Sequence, residues 1–305
     1  MSIRHFLGLP DLTTDELKQI IHRGIALKAA LRRGECNNLM RNKTAVLLFE
    51  KSSTRTRVSF ESGIGQFGGS TIFMSVSDSQ ISRGEPIEDT SRVFSGMVDL
   101  IVMRTTAHER VEKMAQYASV PVINALSDFN HPCQQLADIQ TFVEHRGDIA
   151  GHKVAYIGDG NNICHSWMNA ARMLEFDLVV ATPPDYRPDS NLFEATQERV
   201  TLTQSPQEAA EGASLIVTDT WVGMGQEDEK AKRIIDFSGF RVDDALMSMA
   251  TPDALFMHCL PAYRGYEVTA EVIDGPQSVI WDESENRLHA QKALMEFLLG
   301  HAAAN

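Results

Sequence analysis

Short apolar runs alternate with helical hydrophobic stripes along most of this chain. Runs of mainly apolar residues, typical of buried strands, lie at 45–49, 71–74, 100–103, 121–124, 154–157, 178–181, 215–218 and 254–257. Between several of these runs, apolar residues recur at three- and four-residue spacing, which predicts helices at about 13–34, 54–67, 89–97, 109–119, 132–145, 162–173 and 286–299. Strands that alternate with helices form parallel sheets, so the pattern predicts an α/β protein.

A polar segment at 146–151 divides this pattern into two halves of similar layout. A chain of 305 residues is long enough for two domains. We therefore predict two doubly wound α/β domains, 1–147 and 148–305, each a parallel sheet flanked by helices. Interdomain helices should join them, and the last helix, at about 286–300, should pack back on the first domain.

Composition and charge narrow the functional classes. With 43% hydrophobic and 23% charged residues, the chain resembles an ordinary globular protein, and a formal net charge of −13 argues against a nucleic-acid surface or a polybasic membrane patch. Its four cysteines, Cys36, Cys133, Cys164 and Cys259, form no Cys-x-x-Cys pair, which indicates neither a zinc framework nor a disulfide scaffold. No apolar run reaches ~18 residues, and the N-terminus lacks the apolar core of a signal peptide. These features predict a cytoplasmic protein without a membrane or nucleic-acid partner.

One polar stretch is unusual in so acidic a chain. Residues 53–57 read Ser-Thr-Arg-Thr-Arg, directly between a predicted strand and a predicted helix. The N-terminus of a helix favours an anion, and hydroxyl and guanidinium groups match the oxygens of a phosphate. Arg55 and Arg57 are two residues apart and point to nearly opposite sides of a helix, so we assign Arg55 to a ligand and Arg57 to a structural ion pair. A capped surface helix with incidental arginines is the alternative for this stretch alone.

Polar segments also follow other predicted strands, where ligands gather in open α/β sheets. They are Arg104, 158–162, 219–224 and 258–261. His131 and Gln134 would share one helix face, although a His-Pro pair at a helix start is also a common cap. The turn at 158–162 lacks the third glycine and the acidic residue of a dinucleotide site. Taken alone, Met224 and Cys259 fit core or loop packing.

Six segments in this order resemble the aspartate/ornithine carbamoyltransferase family, and the resemblance covers nearly the whole chain. They are 49–57 (Phe-Glu-Lys-Ser-Ser-Thr-Arg-Thr-Arg), 131–134 (His-Pro-Cys-Gln), 158–162 (Gly-Asp-Gly-Asn-Asn), 219–225 (Asp-Thr-Trp-Val-Gly-Met-Gly), 258–261 (His-Cys-Leu-Pro) and 285–287 (Glu-Asn-Arg). Their joint occurrence outweighs the capping and packing alternatives. The segments at 219 and 258 are similar to the ornithine branch. The resemblance implies a carbamoyltransferase of arginine metabolism, expected in biosynthesis, that converts carbamoyl phosphate and L-ornithine to L-citrulline and phosphate without a cofactor or metal.

The resemblance also implies roles for individual residues. The implied carbamoyl phosphate site comprises Ser53, Thr54, Arg55, Thr56, Gln80, Arg104, His131, Gln134, Cys259, Leu260 and Arg287, of which Arg55, Arg104, His131 and Cys259 would be catalytic. The implied ornithine site comprises Asn162, Asp219, Gly223 and Met224, and the family usually has serine where this chain has Gly223. The first domain would bind carbamoyl phosphate and the second ornithine. The implied assembly is a homo-oligomer, a trimer in which Gln80 reaches carbamoyl phosphate in a neighbouring subunit.

The acceptor of the proton from the amine stays open at this point. Cys259 is the family's candidate for accepting or relaying it, with Asp219 nearby, and the leaving phosphate is the alternative. Three other functions fit the sequence less well. Aspartate as the acceptor substrate would need cations for its second carboxylate, but residues 219–227 contain no Lys or Arg. A nucleotide-binding dehydrogenase would have the full glycine pattern, and a non-catalytic binding subunit should lack a phosphate-site residue, yet none is missing.

Overall fold

Strands and helices alternate along the chain in the order that the hydrophobic pattern predicts. The computed structural model of the protein describes residues 3–35, 37–223 and 226–300. Its strands are β1 Thr44–Phe49, β2 Ser70–Ser75, β3 Leu100–Arg104, β4 Val122–Leu126, β5 Lys153–Ile157, β6 Asp177–Ala181, β7 Val200–Thr203, β8 Leu215–Thr218 and β9 Leu255–His258. Its α-helices are α1 Thr14–Arg32, α2 Thr54–Gln66, α3 Ile87–Ser95, α4 His108–Tyr117, α5 Pro132–Arg146, α6 Asn162–Leu174, α7 Ser190–Thr196, α8 Pro206–Ala210, α9 Lys230–Asp236, α10 Asp244–Met247, α11 Ala270–Ile273 and α12 Ile280–Leu298.

The first of two structural units contains the residues up to 140 and those from 285 onward. Its four strands form a parallel sheet in the order β2-β1-β3-β4. Phe49 at the end of β1 lies in register with Ser75 of β2 and Arg104 of β3. The winding of the sheet reverses between β1 and β3, and ligands of such sheets bind at the carboxyl edge of that switch point.

The second unit contains residues 141–284. Its five strands are again all parallel, in the order β7-β6-β5-β8-β9. Here the winding reverses between β5 and β8, so the loops at 158–162 and after Thr218 follow the two strands of the switch point. The prediction of two doubly wound parallel sheets flanked by helices is confirmed. The chain passes from one unit to the other within α5 and again within α12.

Each sheet carries the apolar core of its unit. In the first unit, Val46, Leu48, Ile101 and Met103 belong to one buried cluster on β1 and β3. In the second unit, the core cluster combines residues of β5, β8 and β9 with side chains of the surrounding helices. Strands of a parallel sheet are covered on both faces, which is why these strands read as nearly continuous apolar runs.

Several helix boundaries follow the local signals in the sequence. Thr13 and Glu16 form a capping box at α1, in which each side chain accepts a hydrogen bond from the other residue's backbone N–H. Pro132 is the first residue of α5, as predicted. None of the helices in the described part of the chain has the length and apolar character that crossing a membrane requires.

Other predictions about local structure were wrong. The last helix begins at Ile280 rather than near 286, and acidic residues in its first turn favour that earlier start. The segment from 75 to 88, between the predicted strand at 71–74 and the predicted helix at 89–97, contains 3-10 turns at Val76–Asp78 and Gln80–Arg83 and the start of α3. The strand β7 was not predicted. Val58, an apolar residue of the predicted helix at 54–67, is 57% exposed.

Candidate active site

The N-terminus of α2 carries the hydroxyl and guanidinium groups that the sequence singles out. Ser53 has extended backbone angles (φ −153°, ψ 116°) and is the N-cap, so the first turn begins with Thr54. Thr56 lies in this turn with 1% of its surface exposed, whereas Arg55 is half-buried. The N–H groups of a first turn have no acceptor within the helix, and the helix dipole favours an anion beside them. This end of α2 is therefore suited to a phosphate group.

Arg57 has a structural role on the same helix. Its Nε lies 2.9 Å from Oε1 of Glu61, one turn later. Its guanidinium carbon is 3.7 Å from the ring centroid of Phe73 on β2. Both contacts engage the guanidinium group with protein partners. The assignment of Arg57 to a structural ion pair is confirmed.

Arg104 ends β3, next to the end of β1 in the sheet, and is 5% exposed. Glu50, the residue after β1, connects these two strand ends. Its backbone N–H donates to the Arg104 carbonyl (2.9 Å), and its side chain accepts from the N–H of Thr106 (2.7 Å) and pairs with Arg110 (2.6 Å). Glu50 thus holds the turn that follows Arg104. No role was predicted for Glu50 from the sequence. Its position inside the segment 49–57 was the available indication that it belongs to the site.

Arg287 on α12 joins the α2 terminus to helix α5. Its Nη2 donates to Oγ1 of Thr56 (3.1 Å), and its Nη1 donates to Oε1 of Gln134 (2.5 Å). Gln134 in turn donates from Nε2 to Asp138 (2.8 Å). With its amide oriented to suit its neighbours, Gln291 accepts a further hydrogen bond from Arg287 Nη2 (3.2 Å). The predicted site residues Thr56, Gln134 and Arg287 therefore share one buried network. Asp138 and Gln291 also belong to it, and neither was predicted from the sequence.

His131 lies directly before α5 and is 5% exposed. Burial lowers the pKa of its imidazole well below the usual 6.5, and the positive charges of Arg287, Arg104 and Arg55 lower it further. The ring is therefore neutral at neutral pH. Because these three guanidinium groups all act on one imidazole, the structure gathers four predicted site residues into one cationic neighbourhood.

Gln80 is a predicted carbamoyl phosphate residue that lies outside this network. It begins the 3-10 turn Gln80–Arg83 and is exposed. Within the described residues its side chain makes no hydrogen bond to the residues gathered around Arg287. Its role towards a neighbouring subunit stays a prediction.

In the second unit, Asp219 follows β8 and is 6% exposed. Its Oδ2 accepts a hydrogen bond from Asn161 Nδ2 (2.8 Å), and its Oδ1 accepts from the N–H of Thr220 (2.7 Å) and the thiol of Cys259 (3.2 Å). Asn161 also caps α6 by accepting from the N–H groups of its first turn. The loops after β5, β8 and β9 thus meet at the Asp219 carboxylate. Asn161, adjacent to the predicted Asn162, was not singled out from the sequence.

The segment 258–261 is held by hydrogen bonds of the His258 ring. Nδ1 of His258 accepts from the N–H of Leu260 (2.9 Å), so its Nε2 carries the proton that faces Glu267 (3.2 Å). Leu260 has a positive φ of 58°, a conformation that residues other than glycine rarely adopt. The ring therefore fixes the backbone between Cys259 and Pro261, and the predicted residues Cys259 and Leu260 have defined positions.

A metal ion does not fit this cluster. Asp219, His258 and Cys259 place potential ligand atoms within 4.8 Å of one another. Both nitrogens of His258 are, however, engaged by Leu260 and Glu267, and the Cys259 thiol donates to Asp219. A ligating histidine needs one nitrogen for the metal. We therefore assign no metal to these residues.

Two further ornithine candidates lie on the same edge of the second sheet. Asn162 is the first residue of α6, and Gly223 lies in the loop after β8, where its N–H donates to Gln226 Oε1 (2.9 Å). The fourth candidate, Met224, lies outside the described residues. The structure thus describes three of the four predicted ornithine residues.

A buried ion pair stabilises the loop that contains Gly223. Arg233 on α9 is 3% exposed, contacts the Asp159 carboxylate and donates from Nε to the carbonyl of Trp221 (2.5 Å). Burial raises the pKa of Asp159 to about 6, although Arg233 opposes that shift, so the carboxyl is mostly ionised at neutral pH. Arg233 therefore connects the loop at 158–162 to the loop that contains Gly223. No pattern in the sequence indicates this role of Arg233.

Comparisons with known proteins match both structural units. Residues 4–144 match the carbamoyl-P binding domain of aspartate/ornithine carbamoyltransferase, and residues 150–298 match its Asp/Orn binding domain. The ornithine carbamoyltransferase of Nitrosococcus oceani is 57% identical over 98% of this chain and 98% of its own. That of Hydrogenovibrio crunogenus is 56% identical over 99% of this chain and 100% of its own.

Solved structures give the same result. The ornithine carbamoyltransferase from Pyrococcus furiosus superposes with a TM-score of 0.94 at 46% identity, over 98% of each chain. The enzyme from Burkholderia thailandensis has a TM-score of 0.92 at 48% identity, over 99% of this chain and 100% of its own. Similarity of this extent in sequence and fold defines the family. The chain belongs to the aspartate/ornithine carbamoyltransferase family.

Proposed function

We propose that this protein transfers the carbamoyl group of carbamoyl phosphate to the δ-amino group of L-ornithine, giving L-citrulline and phosphate. The observation that carries the proposal is the buried network in which Arg287 joins Thr56 to Gln134, beside a neutral His131. These residues come from three of the six family segments. The names of the similar enzymes support the same reaction.

The phosphate of carbamoyl phosphate is assigned to the start of α2. The hydroxyl groups of Ser53, Thr54 and Thr56 and the first-turn N–H groups would bind its oxygens, with Arg55 supplying charge. Arg104 would bridge from the phosphate towards the carbonyl group. Bidentate guanidinium contacts are among the strongest that proteins make to phosphates. As phosphate departs it gains negative charge, which the same groups stabilise.

The carbonyl end of the substrate is assigned to His131, Gln134 and Arg287. When the amine attacks, a C–N bond forms and the carbonyl oxygen becomes an oxyanion. A neutral imidazole N–H, together with Arg104, can donate hydrogen bonds to that oxygen. Since the Arg287 network orders these donors before the reaction, little reorganisation is required in the transition state. Collapse of the intermediate breaks the bond from carbon to the phosphate oxygen.

Ornithine is assigned to the second unit. An amide such as that of Asn162 suits an α-carboxylate, and the carboxylate of Asp219 suits an α-ammonium group. The backbone N–H of Gly223 would join the α-carboxylate contacts by exchanging its present acceptor, Gln226 Oε1, for the substrate. Met224 belongs to this assignment on family resemblance. Asp219 is well placed for the role because Asn161 and Thr220 already fix both of its oxygens.

The reaction also has to remove a proton from the amine. The δ-amino group of ornithine should have a pKa near that of lysine, ~10.4, so it is mostly protonated at neutral pH and must lose a proton to attack. We assign the proton to Cys259, whose thiol would accept it while passing its own proton to Asp219 along their hydrogen bond. The leaving phosphate is the alternative acceptor. Cys259 and Leu260 are also proposed contacts of the carbamoyl group.

The experiment that tests the proposal measures citrulline formed by the purified protein from carbamoyl phosphate and L-ornithine. L-Aspartate replaces ornithine in the control reaction, with carbamoyl-aspartate as the product measured. We expect citrulline and no carbamoyl-aspartate, since residues 219–227 carry no cation for a second side-chain carboxylate. Product formation with aspartate alone, or with neither amino acid, would contradict the proposal.

We further propose a homotrimer in which Gln80 acts on carbamoyl phosphate bound to a neighbouring subunit. Its exposed position in a turn of the first unit supports this role. Inactive Arg55→Ala and Gln80→Ala proteins, dissociated and reassembled together, should recover activity because hybrid oligomers contain sites with both residues intact. Recovery no greater than that of the separately treated variants, despite demonstrated hybrids, would contradict a shared site.

The metabolic role proposed is arginine biosynthesis in the cytoplasm. The separated cysteines support a reducing compartment, because Cys133 and Cys164 are buried free thiols. In a strain that has no other enzyme able to carbamoylate ornithine, deletion of this gene should create a growth requirement for citrulline or arginine. Growth without either supplement would contradict the biosynthetic role.

A further inference from the structure

The amide of Gln134 lies between a carboxylate and a guanidinium group. Its Nε2 donates to Oδ1 of Asp138 (2.8 Å), and its Oε1 accepts from Nη1 of Arg287 (2.5 Å). All three side chains are buried, with 2% of each residue exposed. Gln134 and Asp138 are four residues apart on α5 and therefore occupy one face of the same helix.

These two partners determine which way the amide points. An ionised carboxylate only accepts hydrogen bonds and a guanidinium group only donates them, so both neighbours require the same orientation. The reversed amide would place its NH₂ group against Arg287 and its oxygen against Asp138, in a buried environment where unmet polar groups are costly. The position of Oε1, beside Arg287, is therefore fixed before any substrate binds.

We propose that Asp138 is a positioning residue that makes the site select a carbamoyl group over an acetyl group. The inference rests on the proposed function, in which Gln134 contacts the carbamoyl end of carbamoyl phosphate. Carbamoyl phosphate and acetyl phosphate share the phosphate and the carbonyl group, and differ in having NH₂ or CH₃ on the carbonyl carbon. Only an acceptor distinguishes the two. Because Asp138 engages the NH₂ group of Gln134, the atom of this side chain that can accept from the carbamoyl N–H is Oε1.

Asp138 exerts this effect without touching the substrate. Its carboxylate holds Nε2 of Gln134, and Arg287 holds the oxygen, so loss of Asp138 removes one of these two constraints on the orientation. A site built to accept from an N–H discriminates strongly against a substrate that lacks it, whereas similar size alone discriminates weakly. The selectivity thus depends on the carboxylate of Asp138, which lies one helical turn after Gln134, the proposed contact of the carbamoyl group.

Asp138→Asn tests this role while preserving shape. The new amide can both donate and accept, so it no longer imposes one orientation on Gln134. We expect the KM for carbamoyl phosphate to rise roughly five- to tenfold, as for the loss of one charge-assisted hydrogen bond. The inhibition constants of inorganic phosphate and acetyl phosphate should stay within about twofold of the original protein, because neither ligand offers an N–H group. Asp15→Asn, on the exposed start of α1, is the matched control and should change none of the three.

A double-mutant cycle with Gln134→Ala separates positioning from general damage. If Asp138 acts through Gln134, then Asp138→Asn should alter the carbamoyl-to-acetyl preference in the original protein and leave it unchanged in Gln134→Ala. An equal rise for all three ligands, or the same loss of preference in both backgrounds, would overturn the inference. Asp138→Ser provides the same comparison if thermal unfolding shows that Asp138→Asn is not folded.

The outcomes also separate this inference from the proposed function. A protein that forms no citrulline from its substrates would refute the proposed function itself. An active protein whose Asp138→Asn variant keeps the original preference for carbamoyl phosphate would refute only the role of Asp138.

Discussion

Replacing Gly223 with serine tests whether a missing hydroxyl group limits ornithine binding. The family usually has serine at this position, next to Val222 in the loop that follows β8. Serine there would offer a side-chain hydrogen bond to ornithine that glycine lacks. The φ angle of Gly223 lies outside the left-handed region, so an L-residue meets no backbone strain at this site.

The expected gain follows from the surroundings of Gly223. A Cβ atom added there would lie 3.1 Å from Oε1 and 3.6 Å from Cδ of Gln226, and both atoms belong to the far end of a flexible side chain. A small rotamer adjustment of Gln226 should cost about 0.5 kcal/mol. A net hydrogen bond contributes roughly 0.5–1.5 kcal/mol, which leaves a gain of up to about 1 kcal/mol. The KM for ornithine should therefore fall, by up to about fivefold.

The assay is ornithine saturation of Gly223→Ser at fixed, saturating carbamoyl phosphate. The KM for carbamoyl phosphate should change little, because its proposed phosphate contacts lie in the first unit. Gly239→Ser is the matched control, since a Cβ at Gly239 meets no atom within 4 Å and Gly239 has no proposed role. An unchanged or higher KM for ornithine in Gly223→Ser would refute the idea that the hydroxyl is limiting.

Three other perturbations test separate features of the first unit. Arg55→Ala should lower kcat/KM by several orders of magnitude, because breaking a desolvated charge pair costs ~3–5 kcal/mol, and near-normal carbamoyl phosphate kinetics in a folded variant would contradict the assignment. Gln135→Met should raise the free energy of unfolding by about 1 kcal/mol in thermal or urea denaturation, because the buried amide of Gln135 has no hydrogen-bond partner among the described residues; a lower midpoint would contradict this. The folded-state pKa of His131 lies below its unfolded value of 6.5, so its contribution to stability is complete above pH 6.5 and is lost as pH falls, by at most ~1.4 kcal/mol per pH unit. Urea midpoints between pH 8 and pH 5 should therefore fall less in His131→Gln than in the original protein, and equal slopes would argue against a buried neutral imidazole.

Local patterns in the sequence predict the strands and the positions of the chemistry. Parallel strands place their carboxyl ends on one edge, so the segments after β1, β3, β5, β8 and β9 could be assigned to candidate sites from their order alone. Helical geometry assigned Arg57 to a structural ion pair, and its contact with Glu61 confirms that assignment, whereas the ligand role of Arg55 stays a prediction. These features depend on neighbours within a few residues, which is why they are readable without a structure.

The residues that support the site could not be predicted in the same way. Asp138 is a typical polar residue of a helix until the structure shows that Gln134 and Arg287 complete its network, and Arg287 is distant in the chain. Arg233 likewise pairs with Asp159 across a long stretch of sequence. Such pairs depend on tertiary packing, and a single sequence carries no periodic signal for them. The early start of α12 was missed for a different reason, because the segment from Ile280 is polar and lacks an apolar stripe.

The cationic residues of the first unit explain how an acidic protein could bind an acyl phosphate with a charge that does not change near neutral pH. Arg55, Arg104 and Arg287 come from three separate segments, and burial together with these three positive charges keeps His131 neutral. Guanidinium groups remain charged at every physiological pH, and a neutral imidazole adds no charge that could be lost as pH rises. The charge that this part of the protein presents to carbamoyl phosphate is therefore constant from about pH 6.5 upward. It follows that the pH dependence of the proposed reaction above neutrality should originate in the amine of ornithine and its proton acceptor, for which Cys259 and the leaving phosphate are the two candidates.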